Sequence, residues 1–521
     1  MNSLPENNEI SSKTTQETIV ALQQMLDAKS QVIDAQKKRI AVLEEYLRLA
    51  RQKQFGRSSE KHPGQGEIFN EAELAACEAD DDVEEEQVAT TEPVEKPAKK
   101  TGRKPLSKNI PREQIHLRLS EEEKSGAAET FFVKVKEELD IQPAKVRVLE
   151  YMQEKAVFIN DGQRTLTVAE QPKHPLGKSM ASIGLLAFIV ISKYMDGLPL
   201  YRLEKILQRY GGDITRASMA NWIIRLSLQC QPFVHLMRAH QHAGPLIQID
   251  ETVIQVHKEP GYSSTGDKRM WVTRGGPPDQ LSVLFEYDPS RAKEVFTRLI
   301  GDYEGPVQCD GYGAYSDSTG KLIFIGCWDH ARRKFVEAQK AQPKGKKVKV
   351  SKADMAVNMI GKLYRIEKEV KDKSPEQIYK IRQQRSKPLL DELKTWLDNN
   401  KNKVPKDSLT GKAFTYLDNQ WERLIRYCDD GSIPISNIAV ENAIRPFVIG
   451  RKNWLFADTP KGAQASAVFY SLIETAKINN LDPNDYLMLL FKQLPYADTL
   501  EAVEALFPWN VKEQVAPLKK A

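Results

Sequence analysis

The stretch LIQIDETVIQVH, residues 246–257, combines an apolar run of strand-forming residues with an acidic residue, Asp250, at its end. A second stretch, VQCDGYGAY at 307–315, repeats this arrangement, because the run VQC ends at Asp310. A carboxylate that follows such a run points into a cleft or lies at its mouth. Two of them on neighbouring strands repel each other unless a cation neutralises them. The pair therefore favours a site for a hard cation such as Mg²⁺ or Mn²⁺.

The segments around these two stretches alternate between strand and helix patterns. KRMWVTRGG and LSVLFEY read as further strands, the helix RAKEVFTRLIG follows, and LIFIGCW precedes the helix DHARRKFVEAQKA. This order predicts a multidomain α/β protein whose catalytic core is a mixed sheet built from residues 243–340 and 432–480. We expect a basic helical insertion at 341–431 and a C-terminal tail at 481–521.

A third acidic residue, Glu441, lies on the predicted helix SNIAVENAIRPFVIGRKNW at 436–454. Arg445 follows it by one helical turn and forms, with Arg451 and Lys452, a basic surface that suits a phosphodiester near a metal. Any one of the acidic residues is explained as well by a helix cap or an ion pair, so only the set favours metal binding. Two metals held by such a set would activate a water or a 3′-hydroxyl and stabilise the departing oxygen.

Residues 14–55 show apolar residues at seven-residue spacing with no Pro or Gly between them. Lys29 and Gln36 interrupt a second apolar series that runs beside the first. The pattern predicts a coiled coil through which copies of the chain form a homo-oligomer. The alternative is one amphipathic helix packed on its own protein. The members of the first series are Ile19, Leu26, Ile33, Ile40 and Leu47.

Two segments of different character follow the predicted coiled coil. Residues 56–110 contain charge blocks and prolines that cannot bury enough apolar surface to fold, so we expect an acidic and basic disordered linker. Residues 111–175 alternate short apolar runs with charge, as in FFVKVKEEL and KVRVLEYMQ, and predict a small β-rich module.

Residues 178–240 switch to helical periodicity and predict a DNA-binding region of the helix-turn-helix kind. The helix YRLEKILQRY is followed by the turn GGDIT and by a second helix, RASMANWIIRLSLQ, with Thr215 at its N-cap. Arg216, Ser218 and Asn221 would then contact base edges or phosphates. An ordinary helical hairpin is the alternative.

Composition and charge favour an intracellular protein that binds nucleic acid. The 76 Lys and Arg residues only slightly exceed the 71 Asp and Glu residues, but acidic residues concentrate at 67–95 and much of the remainder is basic. The 5 cysteines stand far apart, which argues against a disulfide framework. There is no signal-peptide pattern, and the most apolar stretch, 183–191, is too short to cross a bilayer. We therefore expect a cytoplasmic protein without membrane contact that joins the nucleoid when it binds DNA.

The chain resembles bacterial transposases of the insertion sequence 66 family in four motifs, namely IQIDET, VQCDGYGAY, GCWDHARRKF and SNIAVENAIRPFVIGRKNWLF. The likeness extends over residues 15–490. It implies a DDE-type transposase with an RNase H-like core, in which Asp250, Asp310 and Glu441 are the catalytic residues and the ligands of two Mg²⁺ or Mn²⁺ ions. The partners it implies are the terminal inverted repeats of the element, target DNA and accessory proteins encoded by the same element.

Two further expectations concern residues outside the acidic set. His330, Arg332 and Arg333 follow the strand LIFIGCW and are candidates for phosphate contact near the metals, although His330 can equally be a structural histidine. Family members usually carry cysteines in a zinc-binding segment after the GRKPL region. Here the matching stretch, IHLRLSEEEKSGAAETFFVKVKEEL, has no cysteine and only His116, so we predict no zinc.

Two other functions fit the same sequence. A transposase-derived DNA-binding protein without catalysis would retain the basic surfaces, but the presence of all three carboxylates argues against it. An RNase H-like nuclease would cut DNA without joining it. The predicted coiled coil favours the transposase, because two element ends must be brought together.

Overall fold

The computed structural model describes residues 29–51, 145–160, 163–316, 320–342 and 350–518, and the isolated positions 116, 120 and 132–134. The predicted linker at 56–110, residues 14–28 and 52–55 of the predicted coiled coil, and most of 111–144 of the predicted β-rich module lie outside the described residues. What is described of that module includes one antiparallel hairpin, formed by β1, Lys155–Asn160, and β2, Gln163–Val168.

A five-stranded mixed sheet lies at the centre of the described chain. Its strands are β3, Ile247–Ile254; β4, Lys268–Gly275; β5, Ser282–Asp288; β6, Gly305–Gln308; and β7, Leu322–Ile325. The order is β5-β4-β3-β6-β7, in which the first three strands pair antiparallel and β3, β6 and β7 pair parallel. The predicted mixed α/β architecture is confirmed.

Helices precede, interrupt and follow the sheet. The first, α1, occupies residues 29–51. Upstream of the sheet lie α2, Ile183–Tyr194; α3, Leu200–Arg209; and α4, Arg216–Gln241. Helix α5, Lys293–Ile300, connects β5 to β6, and α6, Trp328–Lys340, follows β7. The insertion contains α7, Lys352–Val370; α8, Pro375–Ile381; α9, Lys387–Asn400; α10, Leu409–Asn419; and α11, Trp421–Leu424. The last helices are α12, Ile438–Trp454; α13, Pro460–Ile478; α14, Pro483–Gln493; and α15, Leu500–Glu504.

Both faces of the sheet are buried. On one face, Ile247, Ile249 and Trp271 pack in a cluster with residues of α5. On the other face, Met270 and Val272 join a larger cluster that also contains residues of α2, α4, α12, α13 and α14. No helix within the described residues combines the length and the apolar character that crossing a membrane requires.

The helical region at 178–240 contains the predicted helix, turn and helix, but it shares its core with the sheet. Thr215 is the N-cap of α4 and its side chain accepts from the Ser218 backbone N–H, as predicted. Gly211 in the turn has a φ of 85°, a conformation that favours glycine. Helix α4 is 26 residues long, and its Trp222 and Phe233 lie in the large cluster behind the sheet.

Residues 481–518 are folded onto this core and do not form the expected tail. Helix α14 buries Tyr486, Leu487, Leu490 and Phe491 in the same cluster. These residues lie on one side of a helix, so docking this side against the protein removes a continuous apolar stripe from water.

The insertion packs around a second hydrophobic core that it shares with α6 and Ile325 of β7, and α1 packs on the insertion. That core joins Phe414 of α10 to residues of α6, α7 and α9. The Tyr46 hydroxyl of α1 donates to the backbone O of Asp407 at 3.0 Å, and Arg48 Nε donates to the backbone O of Ala341 at 2.9 Å. The described part of the predicted coiled-coil helix therefore packs along one side against its own protein.

Helix α13 covers the outer edge of the sheet. The Ser471 and Thr475 hydroxyls accept from the backbone N–H groups of Phe285 and Val283 at 2.8 and 3.0 Å. The Thr475 hydroxyl also lies 3.0 Å from the backbone O of Val283, to which it can donate. Hydroxyls one helical turn apart thus pair with alternate residues of β5, and the edge strand is not left as a template for another chain.

We expect Thr475→Val to lower the free energy of unfolding by about 1–3 kcal/mol, because it leaves the buried backbone groups of Val283 without their partner while keeping side-chain size. Urea unfolding of the full chain measures this. The matched control is Thr395→Val on the exposed side of α9, where a change within about 0.5 kcal/mol is expected. Equal effects of the two substitutions would show that the hydroxyl contact at the sheet edge does not stabilise the fold.

Candidate active site

Strand register brings the two predicted aspartates side by side. β3 and β6 pair in parallel with Gln248 opposite Gln308. Asp250 follows two residues later within β3, and Asp310 follows two residues later, just past the end of β6, so the register brings both acids to the same region of the sheet. The charge of Asp310 acts on Asp250 there. β3 continues to Ile254, however, so Asp250 lies within the strand and not at its end as expected. The extra length is possible because the rest of β3 pairs with β4 on its other side.

Buried glutamine side chains hold this register. Gln248 and Gln308 are both fully buried, and Gln248 Nε2 donates to Gln308 Oε1 at 2.7 Å. Gln308 Nε2 donates in turn to the backbone O of Pro434 at 2.7 Å. Arg274 Nη1 donates to Gln248 Oε1 at 3.1 Å. Because Pro434 lies in the loop before α12, one hydrogen-bond network ties both acid-bearing strands to the helix that carries the third acid.

Glu441 lies in the first turn of α12 with 3% of its surface exposed. Arg333 Nη2 of α6 donates to its Oε2 at 3.1 Å, and His330 Nδ1 lies 3.5 Å from its Oε1. Asn437 is the N-cap residue of α12, but its side chain makes no capping hydrogen bond. The carboxylate is thus held by side chains of α6.

The three carboxyl groups share one electrostatic environment. Burial raises the pKa of Asp250 well above its usual range, and the charges of Glu441, Glu251 and Asp310 raise it further. Burial also raises the pKa of Asp310 and of Glu441. Arg291 opposes the shift at Asp310, and Arg333 opposes it at Glu441.

A divalent cation fits this environment, because it would neutralise carboxylates that burial and mutual repulsion otherwise drive toward protonation. The oxygen-only donor set suits Mg²⁺ or Mn²⁺. In the described conformation Glu441 belongs to a second group: candidate ligand atoms of Cys327, His330 and Glu441 lie within 4.8 Å of one another.

A cluster around Glu251 was not predicted from the sequence. Arg291 Nε donates to Glu251 Oε1 at 2.5 Å, and the Tyr315 hydroxyl also donates to this carboxylate. The Arg291 guanidinium stacks on the Tyr312 ring, 3.5 Å from its centroid. Tyr312 and Tyr315 belong to the stretch VQCDGYGAY, which marked the region, but nothing in the local sequence distinguished Arg291.

The predicted DNA-binding residues of α4 lie in its first two turns. Arg216 and Asn221 are exposed, and Ser218 is half-buried with its hydroxyl 3.0 Å from that of Thr215. The Arg216 backbone N–H donates to Glu204 of α3 at 3.0 Å. These residues are on different elements from the three acids.

The predicted basic residues around Glu441 differ in accessibility. Arg332 is only 5% exposed, so it does not fit the expected phosphate contact; its position on the inner side of α6 explains the burial. Arg333 is 40% exposed and paired with Glu441. On α12, Arg445 and Arg451 are half-buried, and Lys452 is exposed.

His330 lies beside Glu441, as an inward-facing residue of α6. Burial, together with the charges of Arg333 and Lys334, lowers the pKa of His330 to about 3. The imidazole is therefore neutral at physiological pH, so it is not a cationic partner for a phosphate.

Comparison with known families places this chain among the transposases. The family model described as "Transposase IS66 family" matches residues 178–465, which include the sheet, the insertion and all three acids. "Transposase C of IS166 homeodomain" matches 42–115, and "IS66 C-terminal element" matches 471–509. The chain belongs to the IS66 transposase family, as its motifs predicted.

Curated relatives support the same family. The chain is 31% identical over 391 residues to the uncharacterized protein y4qI of Sinorhizobium fredii (strain NBRC 101917 / NGR234), covering 72% of this chain and 71% of the relative. It is 29% identical over 404 residues to the uncharacterized protein y4jD of the same strain, covering 74% and 77%. The names of these relatives assign no activity to them.

We expect Asp250→Asn to raise the free energy of unfolding of the metal-free protein at neutral pH, by on the order of 1 kcal/mol. The raised pKa means that folding favours the protonated acid, so the wild-type protein loses stability as pH rises from the usual Asp value through the folded-state value. The gain should therefore shrink as pH falls toward the usual Asp range.

Urea unfolding in EDTA at several pH values measures this effect. Asp372→Asn, at an exposed position after α7, is the matched control and should change little. A loss of stability in Asp250→Asn at neutral pH would contradict the view that this carboxylate is strained by burial and by its acidic neighbours.

Proposed function

We propose that this transposase cuts and rejoins DNA with Asp250, Asp310 and Glu441 as its catalytic residues. The observation that carries the proposal is the parallel register of β3 and β6, which brings Asp250 of β3 near Asp310 just past the end of β6, together with the charge of Glu441 of α12 acting on Asp250. Three acids drawn from distant parts of the chain into one buried site are expensive unless the site binds cations.

The metal ligands in this proposal are the same three residues, and the ions are two Mg²⁺ or Mn²⁺. Bound there, they would supply an activated water or 3′-hydroxyl and charge stabilisation for the departing oxygen. The chain itself positions the acids through the glutamine network and excludes bulk water from Glu441. A cation shared with the aspartates would take the place of Arg333 at Glu441, which would leave the Arg333 guanidinium available to a DNA phosphate.

The sheet order supports an RNase H-like core as the scaffold of this chemistry. Three antiparallel strands are followed by two parallel ones; Asp250 lies on the central strand β3, and Asp310 lies two residues past the end of its parallel neighbour β6. The helical insertion separates Asp310 from Glu441 in sequence, yet it packs against α6 and β7 and leaves the sheet intact.

The proposed partner is DNA, both the terminal inverted repeats of the element and the target. Arg216, Ser218 and Asn221 at the start of α4 are candidates for sequence recognition, and two of them are exposed. Arg445, Arg451 and Lys452 on α12 are candidates for phosphate contact near the acids. Accessory proteins of the same element and a cytoplasmic, nucleoid-associated location stay as predictions from the resemblance.

Self-association through α1 is also part of the proposal. The side of α1 that packs on the insertion carries Val42 and Leu49, each 8% exposed. The predicted heptad residues Ile33, Ile40 and Leu47 are 49%, 56% and 51% exposed. One helix can therefore bind the insertion and still offer an apolar seam to a second copy.

We expect Asp250→Asn, Asp310→Asn and Glu441→Gln each to lower cleavage and joining of labelled element ends by about a thousand-fold or more, because each removes a metal ligand. Gel assays of nicked and joined products in Mg²⁺ measure this, and DNA binding by each variant should persist. Asp372→Asn is the control and should cut normally.

The products also separate the alternatives. Cleavage without joined products would replace the transposase proposal with a nuclease. DNA binding by wild-type protein without cleavage in either Mg²⁺ or Mn²⁺ would indicate a non-catalytic DNA-binding protein. Equal cleavage by wild type and the three variants would exclude the acidic site.

We expect Ile40→Asp to weaken self-association at least about tenfold, because it places a charge in an apolar seam. Sedimentation velocity over a range of protein concentrations measures this. Ala35→Asp adds the same charge to the same helix away from the heptad series and should have little effect. If both variants associate like the wild type, the exposed seam of α1 is not the interface.

A further inference from the structure

The amino-terminal ends of α6 and α12 meet beside the acidic site. Cys327 is the N-cap residue of α6, His330 lies in its first turn, and Glu441 lies in the first turn of α12. A thiol sulfur, an imidazole nitrogen and a carboxylate oxygen from these residues lie within 4.8 Å of one another. Both helix ends carry partial positive charge, which favours anionic ligands such as a thiolate and a carboxylate.

The imidazole and the carboxylate face each other without a hydrogen bond. His330 Nδ1 and Glu441 Oε1 are 3.5 Å apart, and both atoms are buried. Neither atom has a hydrogen-bond partner among the described residues. The other carboxylate oxygen, Oε2, accepts from Arg333. A cation between these two buried atoms would satisfy both of them, since an unpaired buried polar atom is costly.

The sulfur of Cys327 is prepared in a similar way. The Asn437 backbone N–H points at Sγ with an N–S distance of 3.5 Å. N–H groups directed at a sulfur stabilise a thiolate and are the usual outer contacts of a metal-bound cysteine. Cys327 is 1% exposed, so bulk water cannot hydrogen-bond to its sulfur in place of such N–H groups.

We infer that Cys327, His330 and Glu441 form a binding site for a thiophilic divalent cation, of which Zn²⁺ is the best match. A thiolate, an imidazole and a carboxylate are ligands that zinc accepts together, whereas Mg²⁺ prefers oxygen ligands alone. Three protein ligands leave one tetrahedral position open. The sequence predicted no zinc, because the segment at 111–175 lacks cysteines; the site inferred here departs from that prediction and lies in another part of the chain.

The site shares Glu441 with the proposed catalytic centre, so the two compete. A zinc ion bound to Oε1 would hold Glu441 against α6 and keep it from a cation at Asp250 and Asp310. Zinc is therefore an inhibitor of strand cleavage. This consequence rests on the proposed function, whereas zinc binding itself does not.

Cobalt spectroscopy of the purified full chain tests the binding site. After removal of metals with a chelator, one equivalent of Co²⁺ should produce a thiolate-to-cobalt charge-transfer band that Zn²⁺ abolishes. Cys327→Ala should lose the band and bind zinc at least about 100-fold more weakly. Cys428→Ala, which removes another buried free cysteine, is the matched control and should retain the band.

Two results would overturn the site: no charge-transfer band in the wild-type protein, or the same band in Cys327→Ala. Because Cys327 is buried, circular dichroism of each variant checks its fold. His330 is less buried than Cys327, so His330→Gln is less disruptive to the fold, and it should independently weaken zinc binding. Unchanged zinc affinity in a folded His330→Gln variant would also contradict the site.

Inhibition is measured separately, as the ratio of cleavage with and without micromolar Zn²⁺ for each protein in excess Mg²⁺. Wild type and Cys428→Ala should be inhibited strongly, and Cys327→Ala should need at least about 100-fold more zinc. If the wild-type protein binds cobalt but does not cleave DNA, the proposed function is contradicted, whereas the zinc site at Cys327, His330 and Glu441 is still supported. Equal zinc inhibition of wild type and Cys327→Ala would reject the regulatory role.

Discussion

The hydrogen bond between the buried Gln248 and Gln308 side chains is the constraint on which the acidic site depends. Buried side-chain amides need hydrogen-bond partners, and here the two amides hydrogen-bond to each other between β3 and β6. The bond selects one register, and that register sets Asp250 beside Asp310. A slip of one residue would turn one aspartate to the opposite face. The same network reaches the backbone O of Pro434 and so fixes the loop that leads to Glu441.

Glu441 interacts both with the two aspartates and with side chains of α6. It belongs by charge to the two aspartates, since its charge raises the pKa of Asp250. In the described conformation, however, Arg333 and His330 of α6 hold it. A buried carboxylate without a compensating charge is costly, so an arginine partner stabilises the protein until a cation arrives. In the proposed function, a cation bound with the two aspartates would take the place of Arg333 at Glu441.

Local sequence patterns anticipated most of the secondary structure of the core. Apolar runs marked the strands, and a helical period marked the long helices, because each pattern reflects which side of an element is buried. The three acids were singled out by their positions after strand runs and on the returning helix. Family resemblance then joined them into a set, and matched family models confirm that family. The C-terminal segment was wrongly expected to be a tail, since its apolar side has meaning only once a partner surface exists.

What the sequence determined by itself was the class of fold and, through its motifs, the family, because these depend on residue types and their local order; it also proposed which acids form the site. The tertiary structure decided which residues that are distant in sequence come into contact. It paired Asp250 with Asp310 through strand register, buried Arg332, and placed Arg291 against Glu251. It also set Cys327 and His330 against Glu441, which lies more than a hundred residues later in the chain. No local pattern encodes such contacts, because they arise only when two helix ends are packed side by side.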